Sequence, residues 1–126
     1  MVNDKENEEK LRIAFTITVD TKHGTTTGVS AQDRTTTILV LASRDSKAED
    51  FIRPGHIVPL RYRVGGVLKR RGHTEASVDL VILVGLNPVA VICEIVADDV
   101  SMARLPQLLE FAEEHNFKII SIAELI

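Results

Sequence analysis

The chain has 126 residues, 44% hydrophobic, 26% charged and only 4% aromatic, with a formal net charge of -3. That length suits one domain burying about two-thirds of its unfolded surface, and the apolar content excludes wholesale disorder. The net charge offers no general attraction to nucleic acid or to an anionic membrane, so neither is expected as a partner.

The longest apolar run, residues 89–96, is interrupted by Glu94 and falls far short of the ~20 residues of a membrane span. The acidic, polar start shows neither a signal peptide nor a transit segment. Cys93 is the lone cysteine; with no disulfide partner and apolar neighbours, it reads as a structural thiol of a soluble protein in a reducing compartment.

Residues 1–10, with Asp4, Lys5, Glu6, Glu8 and Glu9, lack apolar periodicity and read as a solvated arm. Residues 14–20 alternate, Phe15, Ile17 and Val19 against Thr16, Thr18 and Asp20, as a half-buried strand does. Ser30 followed by Asp33 resembles a helix N-cap with an acidic first turn, and Ala31, Thr35, Ile38, Leu39 and Ala42 share one face, predicting a helix over 31–42. A short turn is expected at 48–51. Arg53-Pro54-Gly55-His56 then precludes helix, and residues 57–63 return to extended chain, with Pro59 at an edge or strand end.

After the bend Gly65-Gly66, apolar residues Ala76, Leu80, Leu83 and Val84 recur at helical spacing until Gly85. Residues 89–96 are continuously apolar and predict a strand buried on both faces. Pro106 marks another helix start, with Leu108, Phe111, Ala112 and His115 on one face and Asn116 beyond its end. Residues 117–122 close the chain as a last strand. Strands alternating with helices favour a layered α/β fold with crossovers.

Chemistry gathers at residues 69–79, Lys-Arg-Arg-Gly-His-Thr-Glu-Ala-Ser-Val-Asp, where a basic run, an imidazole and a hydroxyl meet a helix start. Arg70 offers a forked phosphate donor, Thr74 a hydroxyl and His73 one metal-ligating nitrogen; the same residues also describe a capped helix end with solvated cations. Glu94 stands inside an apolar run. Either it is an acid/base whose pKa burial raises, or the strand meets solvent or a structural cation there. Residues 23–34, His-Gly-Thr-Thr-Thr-Gly-Val-Ser-Ala-Gln-Asp-Arg, can cradle phosphate through backbone N–H groups and hydroxyls, with Thr27, Ser30, Asp33 and Arg34 as weaker site candidates, or serve as an ordinary strand-to-helix turn. His56 reads as a loop residue and His115 as a helix-face residue.

The stretches Gly24-Thr25-Thr26-Thr27-Gly28-Val29-Ser30-Ala31 with Asp33-Arg34, Asp50-Phe51 with Arg53-Pro54-Gly55-His56, and Gly65-Gly66-Val67-Leu68 resemble one family. So do Arg70 with Gly72-His73-Thr74-Glu75-Ala76, Cys93-Glu94-Ile95, and Ser101-Met102-Ala103-Arg104 with Pro106. That family is 3,4-dihydroxy-2-butanone 4-phosphate synthase, a lyase of riboflavin biosynthesis that converts ribulose 5-phosphate to the butanone phosphate and formate. Residues 7–10 and 22–24 look most like plant proteins that fuse this domain to GTP cyclohydrolase II.

The resemblance implies an α/β fold (α+β in some schemes) with a layered mixed β-sheet, residues 11–126 being the C-terminal part of a synthase domain truncated at its N-terminus. It implies Mg²⁺ or Mn²⁺ held with His73, substrate and phosphate contacts from Arg70 and Thr74, and acid/base work by Glu94. It also implies a homodimer, or a dimer with a full-length relative, in the plastid stroma of a plant or the cytoplasm of a bacterium. The family's acidic metal-binding loop is expected ahead of Met1, leaving the chain with little activity of its own. The alternative is a noncatalytic paralogue or fragment that pairs with a full-length enzyme; a phosphate-binding regulator is a further one. Val100 stands where the family usually has glycine, and strain is expected in that turn.

Overall fold

A computed structural model describes residues 13–126; the expected polar arm at 1–10 and the domain start at residue 11 lie outside the described residues. The strands are β1 (Ala14–Phe15), β2 (Val19–Thr21), β3 (Phe51–Ile57) and β4 (Leu60–Arg61), and the helices are α1 (Ala31–Ala42), α2 (His73–Leu83), α3 (Leu105–Glu114) and α4 (Ile122–Leu125). β1 pairs antiparallel with β4 and β2 antiparallel with β3. The fold is α+β, and among the described residues no parallel crossover sheet forms.

The strand expected over 14–20 is divided because its two ends pair with different partners. Between them the Thr16 N–H and hydroxyl both donate to the Pro59 carbonyl, at 3.1 and 2.7 Å. Helix α1 has the expected bounds, and the Ser30 hydroxyl caps it by accepting the Asp33 N–H at 3.0 Å. Its buried face is not the apolar one expected. Asp33 and Thr37 are buried while Leu39 is exposed, because α1 turns Thr37 to β2, where its hydroxyl accepts the Thr21 N–H at 3.1 Å.

Val19, Phe51, Val67, Ala76, Val78 and Ala112 form the buried apolar core. Two expected strands are absent. Residues 89–95 run outside any strand, with only Val96 bridging to Met102, and Val91 is 64% exposed rather than enclosed. A doubly buried strand needs a neighbour along each edge, and the described residues supply none there. Cys93 is exposed for the same reason, which overturns its reading as a buried structural thiol.

Residues 117–121 are not a strand either, and the chain closes with α4. Ser121 caps this helix while Glu124 reaches back to the Ser121 N–H at 2.7 Å. The reciprocal Ser-x-x-Glu pair outcompetes the extended reading of the apolar residues around it.

Candidate active site

Helix α2 begins at His73 behind Gly72, which gives it no side-chain cap. The first-turn N–H groups of such a helix have no intrahelical acceptor, and the macrodipole adds positive character at that end. His73 itself is exposed; Thr74 and Glu75 are buried.

Glu75 organises this end. Its Oε1 accepts the Arg63 N–H at 3.1 Å, and its Oε2 pairs with Arg70 Nη1. Four residues on, Asp79 accepts the Val67 N–H at 2.8 Å. Two carboxylates one helical turn apart therefore tie the loop over 63–70 to α2. A Cβ on Gly72 would stand 2.2 Å from Arg70 Nη1 and 2.8 Å from Glu75 Oε2. The Gly72 gap is what lets the ion pair pass across the helix mouth.

A second constellation was not foreseen. The register of β2 on β3 shifts so that Val19 faces Ile57 while Asp20 faces Ile52, leaving residues 53–56 as a bulge. Side chains replace the missing ladder bonds: the Gly55 N–H donates to Thr18 Oγ1 at 3.1 Å and the His56 N–H to Asp20 Oδ1 at 3.0 Å. Asp20 Oδ2 also lies 2.7 Å from His56 Nδ1. Burial pushes the Asp20 carboxyl up, but the hydrogen bonds from the His56 backbone and ring outweigh it and hold the group below its ordinary value.

The loop ahead of α1 wraps around this pair. The Thr26 hydroxyl and N–H donate to Asp33 at 2.7 and 3.1 Å, and the Gly28 N–H donates to Asp33 Oδ2 at 3.0 Å. These bonds, led by the Thr26 hydroxyl, hold the Asp33 carboxyl below its ordinary value. Gly28 has φ 85°, and a Cβ there would stand 2.3 Å from Asp20 Oδ2 and 2.7 Å from His56 Nδ1.

Between these constellations lies a cleft of about 470 Å³, lined by Arg34, His56, Tyr62, Thr74 and Ser77 and walled by residues 88–92. Its surface combines a guanidinium, an imidazole and hydroxyls with apolar walls, a composition suited to a small polar anion. Of the residues singled out in the sequence, Arg34 and Thr74 line it, whereas Arg70, His73 and Glu94 do not.

Thr27 and Ser30 are exposed on the loop. The backbone N–H groups of Thr26 and Gly28 are already taken up by Asp33, so this segment scaffolds its own turn. Glu94 is exposed beyond the cleft wall. Of the two readings of Glu94, the enclosed carboxylate is corrected and the chain meeting solvent holds, since the residues carrying it form no enclosed strand.

Among the described residues, no group of three or more His, Cys, Asp or Glu side chains is placed to hold a metal ion. His73 offers one nitrogen, whereas Mg²⁺ and Mn²⁺ prefer several oxygen ligands. The described residues therefore do not fit such an ion by themselves, and no step is routed through one.

The family model for 3,4-dihydroxy-2-butanone 4-phosphate synthase matches residues 1–126. The chain belongs to this family. It is 76% identical over 126 residues to the bifunctional riboflavin biosynthesis protein RIBA 1, chloroplastic, of Arabidopsis thaliana, covering all of this chain and 23% of that protein. It is 50% identical over 120 residues to the 3,4-dihydroxy-2-butanone 4-phosphate synthase of Shewanella frigidimarina, covering 95% of this chain and 55% of that one.

A crystal structure of a 3,4-dihydroxy-2-butanone 4-phosphate synthase in complex with two magnesium ions superimposes with a TM-score of 0.88 at 38% identity, covering 100% of this chain and 63% of that one. The synthase fold is thus shared. The chain spans about a quarter of the plant relative's length and somewhat over half of the other two.

His56 and Asp20 are what the sequence reading missed. The available signal was Asp20 on the polar side of an alternating strand together with His56 after a Pro-Gly pair, but only the bulge brings them together.

Proposed function

We propose that this chain supplies the sugar-phosphate-binding and proton-moving part of a 3,4-dihydroxy-2-butanone 4-phosphate synthase, a lyase that converts ribulose 5-phosphate to the butanone phosphate and formate. The observation that carries this reading is the uncapped N-terminus of α2, held beside Arg70 by Glu75, with Thr74 reaching the cleft. Helix N–H groups, Arg70 and the Thr74 hydroxyl take the phosphate and neighbouring hydroxyls, with Arg34 at the cleft as a further donor. Thr27 and Ser30 act at the edge of this set, and Asp33 holds their loop in place.

His56 is the acid/base facing the cleft, and Glu94 serves the substrate from the chain just past the cleft wall. Mg²⁺ or Mn²⁺ would be held with His73 as one ligand, its oxygen ligands lying outside residues 13–126, and would supply charge stabilisation to bound oxygens. The residues over 11–126 act as the C-terminal part of a synthase domain, working in the plastid alongside the chloroplastic relatives.

The test is formate release from ribulose 5-phosphate with Mg²⁺, together with the unfolding midpoint in excess substrate. Saturation at about 100 times the Kd raises stability by roughly 2.7 kcal/mol; His73→Ala abolishes formate release, and Arg70→Ala weakens the midpoint shift. An unchanged midpoint in excess ribulose 5-phosphate refutes the binding role.

Pairing with a second copy, or with a full-length relative, is a second reading. It is favoured by the exposed apolar residues Val91 and Ile92 on chain that has no sheet neighbour among the described residues. Sedimentation as a monomer, unchanged by addition of a full-length relative, would refute it.

A further inference from the structure

We infer that Asp20 is a positioning residue for His56, fixing the imidazole as the tautomer that carries its proton on Nδ1 and presents an unprotonated Nε2 to the cleft. The inference rests on the proposed synthase activity only for its consequence in turnover; the tautomer itself stands on local geometry.

The two oxygens of Asp20 have separate duties. Oδ1 accepts the His56 backbone N–H at 3.0 Å, and Oδ2 faces Nδ1 of the same residue at 2.7 Å. An ionised carboxylate only accepts hydrogen bonds, so the short contact to Oδ2 assigns the ring proton to Nδ1. The His56 side chain is 44% exposed while that of Asp20 is 12% exposed. The ring edge turned from Asp20, which carries Nε2, is therefore the part presented to the cleft that His56 lines.

The surroundings hold this arrangement from several sides. A Cβ on Gly55 would lie 2.1 Å from the Val19 carbonyl carbon, and one on Gly28 would collide with both members of the pair. Backbone from β2, β3 and the loop ahead of α1 thus closes on the Asp20 side of the pair, around Nδ1 of the ring. Asp33, the neighbouring carboxylate, is occupied by Thr26 and Gly28 and does not compete for the ring.

The decisive variant is Asp20→Asn. Its single carbonyl oxygen remains with the His56 backbone N–H, so the amide NH₂ faces Nδ1 and forces the ring proton to Nε2. Nitrogen-15 NMR of histidine-labelled full chain, read above the imidazole titration, reports the two tautomers directly. The Nδ1–H form is expected for the unsubstituted chain, the Nε2–H form for Asp20→Asn, and a mixture for Asp20→Ala.

Formate release by Asp20→Asn should fall at least ~100-fold in kcat, the scale of a lost general acid/base, with KM changed far less. An Nδ1–H tautomer that persists in Asp20→Asn overturns the inference. A flipped tautomer with unchanged kcat also overturns the positioning role while leaving the sugar-phosphate reading intact. Failure of that reading would show separately, as no midpoint shift with ribulose 5-phosphate in a chain whose tautomers behave as described.

Discussion

Replacing Glu75 with glutamine removes one charge at the root of α2 and little else. The side chains of Arg70 and Glu75 are 13% and 1% exposed, so neither charge is well solvated. Breaking a buried pair by neutralising one partner costs about 3–5 kcal/mol, because the remaining charge loses its counter-ion while staying buried. Glutamine keeps the volume and can still accept the Arg63 N–H that Glu75 accepts at 3.1 Å, so the loss belongs near the low end, about 3 kcal/mol. For a domain of this size that lowers the melting midpoint by roughly 10–15 °C.

Urea denaturation followed by circular dichroism gives the free energy, and a cycle with Arg70→Met isolates the pair. Because removing both charges of a buried pair is often near neutral, Glu75→Gln with Arg70→Met, which keeps an acceptor for the Arg63 N–H, should recover most of the stability lost by Glu75→Gln alone. A loss below about 1 kcal/mol, or strict additivity in the cycle, would refute the view that this pair holds the helix mouth together.

Val100 has φ 67°, a left-handed conformation that a β-branched residue occupies only under strain. Val100→Gly relieves about 1–2 kcal/mol of that strain and gives back up to about 1 kcal/mol in chain entropy, so a small net rise in midpoint is expected. A fall in midpoint would show that the turn is not strained.

For Asp33 the folded pKa lies below the ordinary value of 3.8. Its stabilising contribution is therefore complete above that value and is lost as pH falls through the folded pKa. Acid unfolding of Asp33→Asn should show a shallower loss of stability below about pH 4, and equal slopes for the two proteins would count against the hydrogen-bonded carboxylate.

The helices were the most legible part of the chain. The spacing from Ser30 to Asp33 marked the start of α1, Pro106 lay at the start of α3, and Gly85 lay just beyond α2, because caps and breakers act within a few residues of sequence. The expected strain at Val100 was legible for the same reason: a residue type at a turn carries its own backbone preference. Pairing is different. Nothing local tells Val19 that it will face Ile57 while Asp20 faces Ile52, and so the bulge that places His56 over Asp20 could not be read ahead.

Residues 89–96 fail as a strand on similar grounds, since apolar content states a preference for burial but not which neighbour provides it. Glu75 was missed because a carboxylate in a helix first turn looks like ordinary macrodipole compensation. Its role as an acceptor for Arg63 and Arg70 depends on a loop folding back over the helix.

The two constellations differ in how they are held, and that difference bears on the chemistry at the cleft. His56 and its carboxylate are gripped by backbone on several sides, and Thr74 sits on a helix anchored through Glu75 and Asp79. The opposite wall, residues 88–92, carries no sheet pairing among the described residues, and its apolar side chains are only partly covered. A proton acceptor has to hold its place within a few tenths of an ångström to act, whereas an apolar wall needs only to exclude water. Hydrogen-bonded backbone is thus concentrated where atoms must be aimed, and chain without strand pairing falls where shape alone is required.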